Sequence, residues 1–157
     1  MSERTFSGAT LAVCADAPAS YDAAGYAALT WVEFCVDAIP SIKKAFSSVE
    51  KKTTCTTVNK KRKGSAMYDD ATFNFDAGDS ADAHAILQAA FDSQTANIQV
   101  RAKFSLRDGE ATPDIAYAEA QVGGYAESNG GDEDTIDLKE TMLWIQREIV
   151  RVAATTA

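Results

Sequence analysis

Residues 98–106 alternate apolar and polar side chains without interruption, and this segment limits the possible folds more than any other. One face of the extended segment carries its apolar residues: Ile98, Val100, Ala102, Phe104 and Leu106. The other face carries its polar residues: Gln99, Arg101, Lys103 and Ser105. This period of two predicts a half-buried β-strand. Asp108-Gly109 follows and predicts a hairpin turn, because glycine adopts positive φ, so we expect a return strand near 113–122.

Other segments also favour strands, so the chain is predicted to be mainly β. Residues 27–36 and 66–75 are rich in strand-forming side chains, and 136–152 predict a last strand or pair of strands. The alternation in this last segment slips near 142–145, where we expect a bulge or burial on both faces. Gly123-Gly124 predicts a further bulge or bend.

One amphipathic α-helix is expected at 80–91, capped by Asp79 or Ser80. Its apolar residues have the spacing of a single helical stripe: Ala83, Ile86, Leu87, Ala90 and Phe91. His84 lies beside the stripe and is interpreted as a surface or packing residue. The fold class is therefore mainly β with one flanking helix (α+β), and the length of 157 residues suits one domain.

The charge of the chain is divided unevenly along its length. Residues 43–63 carry a net charge of +7, and because the whole chain carries −8, the remaining residues carry −15. The basic residues of this segment are Lys43, Lys44, Lys51, Lys52, Lys60, Lys61, Arg62 and Lys63. The cluster could contact phosphate, form a solvated face, or dock on protein. The interleaved threonines and the complementary acidic remainder favour a docking arm, and the overall charge argues against binding that follows nucleic-acid phosphates.

Sequence motifs for catalysis, cofactors or metals are not found. Nucleotide-binding, metalloprotease and hydrolase signatures are missing, and the single histidine cannot supply a histidine-rich metal site. The acidic stretch 132–137 lacks EF-hand spacing. The three cysteines lie about twenty residues apart without a C-x-x-C pair, so we expect buried or partly buried, reduced thiols. The first residues do not resemble a signal peptide, and no apolar run reaches the ~20 residues of a membrane helix, so a soluble, cytoplasmically made protein is expected.

Three segments resemble a known family. Residues 8–31 read GATLAVCADAPASYDAAGYAALTW, 36–42 read VDAIPSI and 61–65 read KRKGS. The first is similar to the start of the major tail tube protein of long-tailed (siphovirus-type) bacteriophages and gene transfer agents. The second resembles the next loop of that family, and the third resembles the end of its long arm. The helix, the Asp108-Gly109 hairpin and an acidic loop at 127–135 follow in the family's order, so the resemblance spans nearly the whole chain.

The resemblance implies one tail-tube domain at 1–157, a two-sheet β-sandwich or half-barrel with a flanking helix. Residues 43–63 would be a long basic loop or hairpin within it that contacts neighbouring subunits or rings through the eight basic residues given above. Subunits would close into hexameric rings that stack into a hollow tube for genome delivery, in a virion assembled from protein made in the host cytoplasm. The implied partners are the chain itself and the tail tip, tape measure and tail terminator proteins. No cofactor, metal, catalysis or membrane insertion is implied.

The acidic balance would have a mechanical role in such a tube. A negative lumen repels DNA phosphates, so the duplex passes through without specific binding. Candidate lumen-facing acids are those in or beside predicted strands: Asp69, Asp70, Glu119 and Glu140.

Two other functions stay open on the residues alone. A monomeric β-sandwich could bind a ligand or carbohydrate through its loops, with Trp31 and Trp144 as stacking platforms. A hydrolase would need two carboxylates converging in a pocket, and adjacent acids such as Asp69 and Asp70 point to opposite faces of a strand.

Overall fold

A computed structural model describes residues 8–55, 57–76, 78–94, 98–106, 114–125 and 130–153. Along the chain its elements are β1 (Thr10–Cys14), α1 (Ala23–Ala27), β2 (Val32–Phe34), β3 (Lys44–Lys51), β4 (Lys60–Tyr68), β5 (Ala71–Asp76), α2 (Ala81–Asp92), β6 (Val100–Leu106), β7 (Asp114–Tyr125), β8 (Leu138–Ile145) and β9 (Val150–Val152). None of the helices in these ranges is long and apolar enough to cross a membrane.

The main sheet is antiparallel and curls into a half-barrel. Its strands lie in the order β2-β1-β6-β7-β8-β5, and β9 pairs with the first part of β7, beyond the end of β8. Val36 and Phe75 form an isolated bridge between the two ends of this order. The Asp37 amide also donates to the carbonyl oxygen of Asn74 at 3.1 Å. The two outer ends of the sheet therefore approach each other at this bridge.

The core lies between the inner face of this sheet and α2. Alternate strand residues point inward, among them Leu11, Val13, Phe73, Phe75, Val100, Phe104 and Leu143. From the helix, Ala83, Leu87 and Ala90 are buried against them. The predicted stripe is thus confirmed, although Phe91 at its end is 39 % exposed. Ser80 is the N-cap residue as expected, but its side chain makes no capping hydrogen bond.

The outer face of β6 and β7 is covered as well, by the segment that contains α1. The Tyr26 ring stacks on Tyr117 with centroids 5.2 Å apart, and the Trp31 ring packs on the same tyrosine. Arg101 and Ser105, expected on a solvent face, are consequently buried. The prediction of a half-buried strand at 98–106 is wrong in this respect, because α1 supplies a second layer that alternation alone cannot indicate.

Several predicted boundaries are corrected by the structure. The run 27–36 is not one strand, since α1 ends at Ala27 and β2 covers only Val32–Phe34. The run 66–75 is divided between β4 and β5, although Phe73 and Phe75 do alternate with more exposed neighbours. The bulge expected at Gly123-Gly124 is confirmed, because the pairing of β7 with β8 shifts between Val122 and Gly124. The bulge or two-faced burial expected near 142–145 is wrong, since β8 pairs in regular register there and Trp144 is exposed. The Asp108-Gly109 turn lies outside the described residues.

The cysteine prediction holds for one residue of three. Cys14 is buried, whereas Cys35 and Cys55 are exposed. Cys35 follows the buried Phe34 at the end of β2, and Cys55 lies in the connection between β3 and β4. Neither position is covered by another element, so burial was the wrong expectation for both.

Candidate assembly surfaces

The basic segment forms a separate two-stranded sheet, the hairpin β3–β4. The strands pair antiparallel from Lys44 opposite Tyr68 to Lys51 opposite Lys60, a length of about 23 Å at ~3.3 Å per residue. Neither strand packs extensively on another element within the described ranges. Of the eight predicted contact residues, Lys43 precedes β3, Lys52 follows it, and the other six lie on the two strands.

Exposed apolar side chains accompany the charges on this hairpin. Phe46, Val49, Val58 and Met67 are between 47 % and 74 % exposed. The Lys63 ammonium lies over the Phe46 ring, 4.8 Å from its centroid. Val49 and Met67 have no such cover. A hairpin that served only as a solvated face would gain nothing from these apolar groups, which water disfavours.

One ion pair joins the base of the hairpin to the body. The Lys44 ammonium lies 2.8 Å from the Glu148 carboxylate, and the Tyr68 hydroxyl donates to the same carboxylate at 2.9 Å. The Ile149 amide donates to the Tyr68 hydroxyl at 3.4 Å. The hydrogen bond from Lys44 and that from Tyr68 hold the pKa of Glu148 below its ordinary value. The same pair, despite partial desolvation, raises the pKa of Lys44.

Three of the four predicted lumen-facing acids are exposed. Asp69 and Asp70 lie in the short connection between β4 and β5, and Glu140 lies on the outward face of β8, opposite Asn74. Which surface of an assembly these residues occupy stays a prediction.

Glu119 is different, because it is 1 % exposed. Its carboxylate accepts a hydrogen bond from the Tyr26 hydroxyl at 3.1 Å, and the guanidinium Nε atoms of Arg101 and Arg147 lie 3.8 Å and 3.3 Å from it. A carboxylate enclosed in this way cannot line a channel, so its assignment to a lumen is wrong. Burial and the hydrogen bond to Glu119 raise the pKa of Tyr26 to about 12. Sequence reasoning missed this cluster because its members lie far apart in the chain.

The two tryptophans occupy different environments. Trp31 is partly buried, and its indole N–H donates to the carbonyl oxygen of Tyr26 at 2.9 Å. Trp144 is 41 % exposed and lies flat over Gly123, where an added Cβ would come within 2.1 Å of the ring. Of the two candidate stacking platforms, Trp31 is therefore partly covered, whereas Trp144 keeps an exposed ring.

A groove of about 570 Å³ lies elsewhere, between the 39–42 segment and the strands β6, β7 and β9. Its apolar lining includes Ile42, Phe104, Ile115 and Val152. No group of three or more possible metal ligands occurs among the described residues. The acidic stretch that was weighed as a calcium site instead forms a turn, in which Asp132 accepts from the Thr135 hydroxyl at 2.9 Å.

The arrangement of the half-barrel, its helix and the projecting hairpin can be compared with solved structures. This arrangement is similar to a chain in the cryo-EM structure of the anti-feeding prophage (AFP) baseplate, 6-fold symmetrised. The TM-score is 0.70, and the alignment covers 98 % of this chain and 95 % of that chain at 7 % sequence identity. The chain shares the fold of that baseplate chain. No family model matches the sequence, and no curated protein matches it. The predicted fold class, mainly β with one main helix and a half-barrel, is confirmed.

Proposed function

We propose that this chain is a structural protein of a phage-type tail, a tube subunit that closes into hexameric rings and stacks into a hollow tube. The observation that carries the proposal is the hairpin β3–β4, which projects from its own body with basic and apolar side chains exposed. The similarity of fold to a chain from a six-fold symmetrised baseplate supports a ring-forming role.

The charge distribution gives the hairpin a role in this assembly. An arm of net +7 is attracted to a body of net −15, and within the part of the chain that the structure describes the arm forms an ion pair with its own body at Lys44 and Glu148. The rest of the arm is therefore available to neighbouring copies. Exposed acids such as Asp69 and Asp70 would then face a lumen and repel DNA. The tail tip, tape measure and tail terminator proteins would be further partners, and the subunit would perform no catalysis.

The first experiment is to purify the chain and measure its mass by light scattering, with negative-stain electron microscopy of the same sample. Rings or hollow tubes with a mass of six subunits per ring are expected. If the chain alone stays monomeric, tail-tip protein is added as an initiator, and tubes are then expected. A chain that stays monomeric with the initiator contradicts the proposal and favours a ligand-binding module that uses the groove beside Ile42.

A charge-reversed hairpin tests the role of the arm. K60E/K61E/R62E/K63E should fold, because these side chains are exposed, and should fail to assemble. Unaltered assembly of this variant at low salt contradicts the docking role of the arm and leaves ring formation to other surfaces.

A further inference from the structure

The outward face of β8 is apolar at Trp144 and Met142 and acidic at Glu140, which is followed by Leu138 at the start of the strand. Its side chains are Trp144, Met142, Glu140 and Leu138, here called the β8 strip, and they alternate with the buried Thr141 and Leu143. The neighbouring strands add only small or polar groups beside it, such as Thr72 opposite Met142. The strip therefore lies on the outward side of the curled sheet, with an exposed indole and no covering element in the described chain.

Acidic residues continue beyond the Leu138 end of the strip. They are the exposed Asp132, Glu133, Asp134 and Asp137, together with Asp76, which pairs opposite Leu138. From Trp144 to Leu138 the strip is about 20 Å long at ~3.3 Å per residue. An apolar end and an acidic end are thus separated by this distance.

One face of the hairpin also changes from apolar to charged side chains along its length, but its charges are positive. Residues that pair directly share a face, and alternate residues along a strand return to it. This face runs from Ala45 and Met67 at the base, through Val49 and Arg62, to Lys51 and Lys60 near the tip. One extra residue in β4, at Gly64–Ser65, interrupts the pairing of the two strands. Because β3 has no extra residue, its side chains alternate between the two faces of the hairpin without a break. From Ala45 to Lys51 this face is also about 20 Å long.

The hairpin does not pack on the β8 strip of its own chain within the described residues. Its base is held at Glu148, just beyond the Trp144 end of β8, and its strands pack extensively on no described element. The matching lengths, the matching order of apolar and charged groups and the opposite charges therefore point to another copy. We infer that the Ala45–Lys51 face of the hairpin docks along the β8 strip of a second copy of this chain.

In this arrangement Met67 and Val49 cover Met142 and Trp144, and the cationic tip lies against Glu140 and the acidic residues beyond it. Burial of the apolar half supplies affinity, whereas the charged half sets the direction, because a reversed hairpin would place lysines on the indole end. The inference rests on the proposed function and names the surface that receives the arm.

A charge exchange tests the inference. The arm variant K51E/K60E/R62E and the strip variant E133K/D134K/E140K should each raise the concentration needed for assembly about tenfold, because each places like charges together. A chain that carries both sets should assemble within about threefold of the unaltered chain, since opposite charges again face each other. The matched control joins the arm variant to D16K/E33K/D92K, equal reversals at exposed acids outside the strip, and should still need about tenfold more protein to assemble.

Trp144 reports on the apolar half of the same contact. Its emission should move to shorter wavelength on assembly of the unaltered chain, with W144F used to subtract the signal of Trp31. V49S/M67S should remove this movement. Circular dichroism melting of each variant as a monomer verifies that it is folded.

The outcomes separate this inference from the proposed function. If the unaltered chain forms rings but the doubly reversed chain does not recover, the arm docks elsewhere and the inference is wrong, while the tube function stands. If the matched control recovers as well, general charge balance explains the effect and the inference is also wrong. If the unaltered chain remains monomeric with tail-tip protein present, both fail.

Discussion

The carboxylate of Glu119 connects three segments that the sequence separates widely. It accepts from Tyr26 on α1, faces Arg101 on β6 and faces Arg147 in the β8–β9 connection. The Arg147 guanidinium also lies 3.7 Å from the centroid of the Tyr21 ring. A buried carboxylate is tolerated only with such partners, because removal from water without compensation is costly. The cluster therefore fixes α1 on the outer face of the sheet.

We expect E119Q to lower the free energy of unfolding by about 3 kcal/mol, the lower end of the range for breaking a buried ion pair. The lower end applies because the Arg147 side chain is 40 % exposed and can be rehydrated, whereas Arg101 is nearly enclosed. Urea denaturation of the monomer measures the change. E33Q, at an exposed position on β2, is the control and should stay within about 0.5 kcal/mol. Equal effects of the two substitutions would contradict a structural role for the cluster.

The contact between Gly123 and Trp144 allows a second prediction at this scale. A Cβ at position 123 would lie 2.1 Å from the Trp144 ring, so G123A must displace the indole from the sheet. The expected cost is about 1–3 kcal/mol, as for other overpacked sites, with a shift of Trp144 emission to longer wavelength. Because W144A removes the clash, the substitution G123A should cost much less in the W144A background. A double-mutant cycle by urea denaturation measures this coupling, and additive costs would contradict it.

Among the elements, those with a long periodic pattern were predicted well. Alternation identified β6 and β5, and the stripe of Ala83, Leu87 and Ala90 identified α2, because each pattern reflects burial against one neighbour. The short helix α1 was not predicted, and the strand expected at 27–36 begins only at Val32. Five helical residues are too few to show a period, although Asp22 before them is a capping residue whose carboxylate accepts from the Gly25 amide at 2.8 Å. That capping position was the available signal.

The contact at the base of the hairpin gives a pH-dependent prediction. The folded pKa of Glu148 lies below its ordinary value of 4.5, so the pair with Lys44 stabilises the contact above that pH and is lost as pH falls through the folded pKa. The raised pKa of Lys44 means that the contact weakens again only as pH rises above 10.5. We expect the exchange protection of the Asp69 amide, which donates to Lys43, to fall in acid when normalised to intrinsic rates.

E148Q should remove this acid dependence of Asp69 protection and lower the protection at neutral pH. E50Q is the matched control, because Glu50 pairs only loosely with Lys61 within the hairpin, at 3.9 Å. If the Asp69 amide of E148Q still loses protection in acid, the loss is due to another titrating group.

For the whole molecule, the sequence predicted the charged arm better than the surfaces that could receive it. A run such as 60–63 is recognised without a structure, because its residues are adjacent. The acidic groups are scattered, and whether each is exposed depends on what packs above it: Glu140 is open, whereas Glu119 is enclosed by α1 and two arginines. The strip of Trp144, Met142 and Glu140 likewise arises from alternate positions whose outward direction only the fold defines.

The separation of charge within one chain predicts how ionic strength controls assembly. At ~0.1 M salt, charges interact over about 10 Å, and at ~1 M over about 3 Å, so attraction between an arm of +7 and a body of −15 is strongly screened at high salt. Steering of this kind changes association rates by about tenfold or more. We therefore expect light scattering to show assembly slowed about tenfold at high salt, with the final tubes retained because apolar contacts persist. The K60E/K61E/R62E/K63E chain should gain no assembly at low salt, because its reversed arm repels the acidic body there. Salt-independent assembly of the unaltered chain would instead assign control to backbone pairing or apolar burial, since neither is weakened by screening.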